Sequence, residues 1–405
     1  MKPWTPGTLD IHHINTGRGD ATLFIFPDGT TMLLDAGDLN LASPDNAGLQ
    51  FAPPRPDDTR TPGQWITYYI RQALAHEAEP SLDYGIITHF HDDHCAAAPD
   101  GKRLSASGAY ALTGITEVGD QLPIRCFLDR GWPDYDYPFS LVEWSEITNY
   151  RAFLRWQIAN RGMRVERFEP GRNDQIRMVR DPSAWSDFEV RNVAANGVVW
   201  TGTGTATEAH FPPIADLQPR DIPDENLCSV AMRISYGKFS YFTGGDLHGI
   251  PQPGGQGWED VETPVARALG LRSGSADVNG VAVNGVDVNV VNHHGYYLSE
   301  NSYFLSMLRP RVHILSTWCV DHPGQSLTDR IMSTRLYSGP RDIFATNVME
   351  PIQQVIAPAT DAFKSTRGHI LVRVEPGGKR YRVIVLDDTT ITRDELAVHG
   401  PYESR

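Results

Sequence analysis

Four metal-ligating side chains lie within six consecutive positions of the N-terminal third of the sequence. His89, His91, Asp93 and His94 directly follow the apolar run 84–88. Imidazole nitrogens and carboxylate oxygens are good ligands for zinc and similar divalent ions. Because alternate residues of an extended segment point to the same side, His89 and His91 can bind one ion, while Asp93 and His94 face a second. A surface loop rich in His and Asp is the alternative, but three histidines at this spacing after a buried strand favour a metal site.

Two later segments could complete a site for two metal ions, which needs a bridging carboxylate and a further histidine. Asp246 follows two glycines at the end of a predicted strand, and glycine permits the tight turn that aims a carboxylate. His293 and His294 also stand at the end of an apolar run. Each segment is a weak signal alone, and their order after the first motif strengthens the prediction of one shared site.

Alternating strands, turns and helices surround these residues and predict the elements that position them. Turn residues between apolar runs predict three hairpins, at 21–26 with 31–34, 229–235 with 239–243, and 370–374 with 381–386. Further apolar runs predict strands at 8–14, 84–88, 286–291, 312–317 and 343–346. Helical spacing of apolar residues predicts helices at 64–78, 141–160, 302–308 and 328–335. The sequence therefore predicts a mixed α/β protein with histidines and aspartates at strand ends.

Composition and charge limit the classes of protein to which the chain can belong. The 405 residues include 40% hydrophobic side chains, enough for a large core, and 50 acidic against 36 basic residues give a net charge of −14. Phosphate contacts need a positive surface, so this charge argues against general nucleic-acid binding but leaves room for a local basic groove. Residues 151–180 carry eight Arg against three acidic residues. These arginines either bind phosphate in a bidentate way or simply cover a solvated helix face.

The N-terminus and the cysteines indicate the compartment. Residues 1–10 contain no apolar signal core, and no run approaches the roughly 18 apolar residues of a membrane span. The four cysteines are scattered and form no Cys-x-x-Cys pair. Scattered thiols in a chain of this length are not a disulfide framework, so we expect a soluble protein of the reducing cytoplasm with no membrane partner.

Several motifs in chain order resemble those of the metallo-β-lactamase-fold hydrolases, and among them the ComEC-type competence hydrolase domains. The hallmark is the 89–94 metal motif, and the chain also carries a Gly-x-Gly-Asp motif ending at Asp20 and an Asp-x-Gly motif at Asp35. An Asn-x-x-Ser segment begins at Asn226, and a His-Pro pair stands at 322–323 after the His-His-Gly segment. Together the motifs span nearly the whole chain.

This resemblance implies an α/β fold, a four-layer αβ/βα metallo-β-lactamase sandwich with the metals at one edge between the sheets. It implies a single domain over residues 1–405. The long gap between the motifs predicts an Arg-rich insertion at 100–222 that would set substrate specificity. The implied cofactors are two divalent metal ions, with zinc as the expected metal and manganese or iron as alternatives.

The resemblance also assigns most of the ligands. It implies that His89 and His91 hold one ion and that Asp93 and His94 hold the other. Asp246 would bridge the two ions.

Two ligand positions stay open. One of His293 and His294 would complete the second site, while the other would hydrogen-bond the substrate. Relatives place a third histidine for the first ion at about the position that Asn226 occupies here, 20 residues before Asp246. An amide is a poorer ligand than imidazole, so the first ion is either weakly held or completed by His210 or water.

The resemblance gives further residues a role in catalysis. Two bound cations lower the pKa of a shared water, and Asp93 and Asp246 would orient the resulting bridging hydroxide and carry its proton. His322 would stabilise the leaving group or the transferring phosphoryl, unless it is simply a loop histidine beside a rigid proline. Asp20 and Asp35 would orient metal-bound imidazoles through their free N–H groups.

Three functions compete at this level. The first is a metal-dependent hydrolase, a phosphodiesterase that acts on nucleic acid or a nucleotide-like, phosphate-containing substrate. The second keeps the metals and hydrolyses a lactone, thioester, amide or phosphorylcholine-type ester, because the fold alone does not fix the bond. The third is a non-catalytic metal-binding regulatory module, which Asn226 at a ligand position would favour. Arginine converging on the cleft would favour phosphate, and an apolar slot would favour acyl substrates.

Overall fold

Two large mixed β-sheets form the centre of the molecule. The computed structural model describes residues 2–95, 101–270 and 285–405. Within these residues there are seventeen strands and seven α-helices. Nine strands form the first sheet and eight form the second. The predicted α/β class is therefore confirmed.

The strands and helices have the following bounds. The strands are β1 (Leu9–His13), β2 (Thr22–Ile25), β3 (Thr31–Leu34), β4 (Leu82–Ile86), β5 (Ile124–Asp129), β6 (Arg164–Arg167), β7 (Phe188–Ala195), β8 (Val198–Trp200), β9 (Thr207–Ala209), β10 (Ala231–Tyr236), β11 (Phe239–Thr243), β12 (Val288–Val290), β13 (Val312–Leu315), β14 (Asp342–Ala345), β15 (His369–Val374), β16 (Arg380–Leu386) and β17 (Glu395–Glu403). The helices are α1 (Pro62–Ala73), α2 (Gly114–Gln121), α3 (Ser145–Arg161), α4 (Glu262–Gly270), α5 (Ser302–Leu308), α6 (Gln325–Met332) and α7 (Glu350–Ile356).

Each sheet combines antiparallel hairpins with a run of parallel strands. The first sheet has the order β17-β16-β15-β1-β2-β3-β4-β5-β6, and its strands are parallel from β3 to β6. The second has the order β14-β13-β12-β11-β10-β7-β8-β9, and its strands are parallel from β11 to β14. The carboxyl ends of parallel strands meet at one edge of their sheet. Residues that follow these strands are therefore brought together although they are far apart in sequence.

The main core lies between the two sheets. Alternate residues of a strand point to opposite faces. In β2, Phe24 packs into the core shared with the second sheet, whereas Leu23 packs against the helices α1 to α3 on the outer face. In β11, Tyr241 faces the shared core and Phe242 faces the helices α4 and α5. Helices thus pack against the outer face of both sheets.

Local signals explain where the first long helices begin and end. The Thr61 hydroxyl accepts a hydrogen bond from the backbone N–H of Gln64, and Pro62 occupies the first position of α1. α3 ends at Gly162, whose φ of 67° is the left-handed conformation that favours glycine. No helix in the three described ranges is long and apolar enough to cross a membrane.

The three predicted hairpins correspond to the antiparallel pairs β2–β3, β10–β11 and β15–β16. The helix predicted over 141–160 begins only at Ser145, directly after Trp144, and ends at Arg161. The segment 100–222, expected as an insertion, supplies α2, α3 and the strands β5 to β9 in its described part. It therefore contributes to both sheets.

Candidate metal centre

The carboxyl ends of parallel strands from both sheets meet at one edge of the sandwich. Asp35 follows β3, and the 89–94 motif follows β4 in the first sheet. Asp246 follows β11, the pair 293–294 follows β12, and His322 follows the strand β13 in the second sheet. The sequence-predicted residues therefore come from both sheets, and most of their side chains converge on one cluster.

Four side chains of this cluster form the tighter of two groups. The Nε2 atoms of His94 and His294 lie 3.1 Å apart. Each is also 3.2 Å from an oxygen of Asp246, His94 from Oδ1 and His294 from Oδ2. Asp93 Oδ2 lies 3.3 Å from His294 Nε2. One ligand atom from each residue falls within 4.8 Å of the others, as a single divalent ion requires.

A second group shares the carboxylate of Asp246. His89 Nε2 lies 3.1 Å from His91 Nδ1 and 3.7 Å from Asp246 Oδ2. These three residues also place one ligand atom each within 4.8 Å. Asp246 thus belongs to both groups, and its two oxygens face imidazoles from both sheets. A carboxylate in this position can bridge two cations.

One histidine of the pair after β12 belongs to a candidate metal group of the described residues, and the other lies beside the shared carboxylate. His294 belongs to the group with His94, whereas His293 places Nε2 3.7 Å from Asp246 Oδ2 on the side of the shared carboxylate. His293 is held by His248, whose Nε2 lies 3.0 Å from its Nδ1. The two rings stack at 5.0 Å with an angle of 8° between their planes.

Sequence reasoning missed His248. Its side chain is buried, and its Nδ1 has no hydrogen-bond partner among the described residues. The available signal was the spacing Asp246-x-His248, which puts a second ligand-type residue on the turn after β11. Because it hydrogen-bonds an imidazole of the cluster, His248 can fix the ring orientation and tautomer of His293.

Asp35 and Asp20 face the Nδ1 atoms of two histidines of the cluster. Asp35 Oδ2 lies 2.9 Å from His94 Nδ1 and accepts the Thr88 hydroxyl at 2.8 Å, while Oδ1 accepts the Thr88 backbone N–H. Asp35 has a φ of 59°, so the turn after β3 is left-handed. Asp20 Oδ2 lies 3.8 Å from His294 Nδ1, a looser contact. Asp35 is thus placed to orient the ring of His94, in the role that the resemblance implied.

Asn226 and His210, the open alternatives for a third ligand, are placed differently. Asn226 begins the short helical turn Asn226–Cys228, and its buried Oδ1 has no hydrogen-bond partner among the described residues. His210 packs against the ring of Phe211, and its Nε2 is also without a described partner. Neither residue belongs to the candidate metal groups found in the described chain. His293 is outside these groups too, but its Nε2 lies 3.7 Å from the carboxylate that His89 and His91 share, so it is a candidate to complete their group.

His322 lies beside the cluster without joining either main group. Its ring is buried and 5.3 Å from the ring of His294, with Trp318 packed nearby at 5.4 Å. Cys319, Asp321 and His322 form a small separate group of potential ligands. Nδ1 of His322 has no hydrogen-bond partner in the described chain. Its position next to the cluster suits contact with a bound substrate.

Charges within the cluster depend on one another. Burial alone lowers the pKa of His294, but Asp246 and Asp93 raise it to about 10. His94 behaves in the same way, with its pKa raised well above the usual value by the same two carboxylates. Burial alone raises the pKa of Asp246, yet His294 and His94 hold it well below the usual range. Positive charge next to Asp246 therefore stabilises its ionised form, which is the state that ligates cations.

A pocket of about 390 Å³ opens beside the cluster. It is lined by two cluster residues, His91 and Asp93, and by seven others: Leu39, Ser43, Asn46, Phe90, Asp92, Trp144 and Glu146. The residues therefore combine carboxylates with an aromatic ring. A substrate group bound here would be next to both candidate metal groups.

The arginines of segment 151–180 make contacts elsewhere. Arg172 pairs with two nearby carboxylates at 2.8 Å. Arg161 and Arg167 donate hydrogen bonds to backbone carbonyls at 2.7 and 2.5 Å. None of the segment's arginines is among the described residues that line the pocket beside the cluster. Their contacts fit the structural alternative, in which Arg covers a helix and its neighbouring loops.

Comparisons with known proteins do not supply a family. No family model matches the chain, and no curated protein matches it. Among solved structures, a protein of unknown function from Enterococcus faecalis V583 is 11% identical, with 87% of this chain and 72% of that chain covered and a TM-score of 0.23. A likeness of this size supports no conclusion about fold or function. The functional interpretation therefore depends on the site itself.

Proposed function

We propose that this protein is a metal-dependent hydrolase of the metallo-β-lactamase fold that cleaves phosphodiesters. The observation that carries the proposal is the position of Asp246, whose two oxygens face histidines from two separate groups. Two ligand groups that share one carboxylate are the protein arrangement needed for a two-metal centre. The order of the motifs along the chain adds support, because it follows the family that the sequence resembles.

The residues present fit a pair of divalent cations. His89, His91 and His293 with Asp246 would hold one ion. The second ion would be held by the group that contains His294. Bound cations would stabilise this arrangement, in which imidazole nitrogens lie only 3.1 Å apart around the buried carboxylate of Asp246. The mix of imidazole and carboxylate suits zinc, with manganese or iron as alternatives.

Several groups of the chain support hydrolysis at this centre. Bound divalent ions supply Lewis acidity and lower the pKa of water, which is the chemistry that phosphodiester cleavage needs near neutral pH. Asp93 lines the pocket and can accept a proton from the attacking water. His322, buried 5.3 Å from the ring of His294, can hydrogen-bond a substrate oxygen. Asp35 and His248 hold the ring orientation of His94 and His293.

The cellular setting that we infer follows from the thiols. All four cysteines are free and buried. Free thiols fit a reducing compartment, so we infer a cytoplasmic enzyme that acts on a phosphate-containing substrate. The negative net charge argues against binding of a long nucleic acid and favours a small phosphodiester.

The proposal is tested by reconstituting the protein with zinc or manganese and measuring hydrolysis of bis-p-nitrophenyl phosphate. We expect turnover that depends on the added metal and falls by at least about 100-fold in Asp93→Ala. Metal content of both proteins is measured in parallel. Absence of turnover in protein that holds two ions would contradict phosphodiester cleavage, and aryl esters, lactones and thioesters would then be assayed for the acyl alternative. Two ions without turnover on any of these substrates would favour a regulatory module.

A further inference from the structure

The pocket beside the metal centre carries more negative charge than the metals require. Asp93 is assigned to an ion, but Asp92 and Glu146 also line the pocket and have no place in either metal group. Asp92 is fixed at the wall because its Oδ2 accepts the backbone N–H of Asn40 at 2.7 Å. Glu146 has no hydrogen-bond or ion-pair partner among the described residues. Two carboxylates therefore remain for a ligand in the pocket.

An aromatic ring lies on the same wall. Trp144 lines the pocket at the residue that precedes α3, and it is half-buried with its ring 5.8 Å from that of Phe139. Tryptophan is the side chain whose ring face attracts cations most strongly. A tryptophan and two carboxylates around one space are the groups that bind an ammonium ion.

Positive side chains that could neutralise this wall are engaged elsewhere. The nine described lining residues include neither Lys nor Arg. Lys102 forms an ion pair with Asp38 at 2.6 Å, and Arg151, on the same helix as Glu146, lies over the ring of Tyr135 at 5.5 Å. An anionic substituent in the pocket would face like charges, and an apolar one would leave carboxylates against it without a partner.

We propose that this pocket binds a cationic substituent of the substrate, an ammonium or quaternary ammonium group, beside the bond that the metal centre cleaves. Trp144 would cover one face of the cation, while Asp92 and Glu146 would supply the opposite charge. The assignment of the adjoining group as a phosphodiester rests on the proposed function. Recognition of the cation rests only on the pocket.

A binding experiment tests this recognition without any need for turnover. Isothermal titration with choline is compared with 3,3-dimethylbutan-1-ol, which has the same shape without the charge. We expect choline to bind at least about tenfold more tightly to the metal-loaded protein, because the ring and the carboxylates act only on a cation. Equal binding of the two compounds, or no binding of either, would overturn the proposal.

Matched variants assign the effect to the pocket. Glu146→Gln and Trp144→Leu are each expected to weaken choline binding by about fivefold or more and to leave binding of the neutral alcohol unchanged. Glu143→Gln is the control, because Glu143 is exposed on the same segment and does not line the pocket. Because an acid in the first turn also stabilises a helix, the melting temperature of each variant is recorded. Unchanged choline affinity in folded Glu146→Gln would contradict the proposal.

The two proposals fail in different ways. Turnover of bis-p-nitrophenyl phosphate without preferential choline binding would retain the phosphodiesterase and remove the cationic substrate. Preferential choline binding without phosphodiester turnover would retain the cation pocket and remove the proposed bond. When both hold, an aryl phosphodiester of choline should be cleaved with a higher kcat/KM than its neutral 3,3-dimethylbutyl counterpart.

Discussion

At the scale of single residues, Asp246 is the point on which the candidate centre depends. Its carboxylate lies within 3.7 Å of ring nitrogens from four histidines: His89, His94, His293 and His294. These histidines come from both sheets. A change at this one carboxylate should therefore affect both ions.

Asp246→Asn tests this dependence. An amide oxygen is a weaker ligand than a carboxylate and carries no charge, so we expect metal content to fall from about two ions to fewer than one per chain. Metal content after dialysis is measured by mass spectrometry. Asp216→Asn is the matched control, because Asp216 is exposed and outside the cluster. Retention of both ions by Asp246→Asn would show that Asp246 is not the shared ligand.

His248 and His210 allow the third ligand of the first ion to be assigned. We expect His248→Phe to weaken binding of the ion assigned to His89 and His91 by about 10- to 100-fold, because His293 loses the partner at its Nδ1. Binding of the ion assigned to the group with His294 should not change. His210→Phe should change neither ion. Competition with a chelating dye measures both affinities. The opposite pattern, with loss of an ion only in His210→Phe, would return His210 to the ligand set.

The sequence analysis singled out the candidate ligands of the 89–94 motif and missed His248, which stands in no motif. His89 to His94 stand together after an apolar run, so their spacing alone indicates metal binding. His248 is a lone histidine on a turn, and its role depends on His293, 45 residues later in the chain. His248 and His293 meet because β11 pairs with β12. The spacing of apolar residues predicts strands but does not tell which strands pair.

At the scale of elements, a buried ion pair holds the loop that carries His89 and His91, two of the candidate ligands. Glu225 Oε1 accepts the backbone N–H of Phe90 at 2.8 Å and the Nε of Arg130 at 2.8 Å. Arg130 follows β5, and both of these charged side chains are buried. The turn that carries His89 and His91 is thus tied to the connection before β10.

Glu225→Gln is expected to lower the free energy of unfolding by about 3 kcal/mol, because it leaves the buried guanidinium of Arg130 without a countercharge. Urea unfolding of the metal-free protein measures the change, with the exposed Glu208→Gln as control. The double variant Arg130→Met with Glu225→Leu should lose less than Glu225→Gln alone, because no charge is then left buried. Equal stability of Glu225→Gln and Glu208→Gln would rule out this role.

Prediction missed the strands β5 to β9 and β17, and half of these six are edge strands. Central strands such as β4 and β13 are buried on both faces and were predicted from their apolar runs. Three strands that escaped prediction, β6, β9 and β17, are the last strand at an edge of their sheet. An edge strand has a neighbour on one side only, and β9 is exposed at every residue, so no apolar pattern marks it.

At the scale of the whole molecule, buried neutral histidines make stability depend on pH. The backbone N–H of Asn15 donates to Nδ1 of His369 at 3.0 Å, so that nitrogen must be unprotonated in the folded state. Burial, and then the charge of Arg393, lower the pKa of His369 to about 3. His13 and His313 have the same depressed pKa, about 3, because they are buried.

Because the pKa of these histidines is lower in the folded state than in the unfolded state, the free energy of unfolding falls as the pH falls. These histidines contribute their full stability above pH of about 6.5, and the contribution is lost progressively as pH falls towards 3, because only the unfolded chain takes up the protons. His369→Asn keeps an acceptor at the position of Nδ1 and has no titrating ring. The free energy of unfolding should therefore fall less between pH 7 and pH 4 in this variant than in the parent, as urea titrations at each pH would measure. The same slope in His369→Asn and the parent would contradict the assignment, and the exposed His76→Asn serves as control.

The contact between the two sheets also has a consequence for the order of events in folding. The first sheet takes its strands from both ends of the chain and the second from the middle, and the contact between His94 and His294 joins residues 200 positions apart. Each sheet can gather its own strands before the two meet, whereas this contact exists only after they have docked. During refolding, tight metal capture would therefore begin last and would mark the moment at which the two sheets become one molecule.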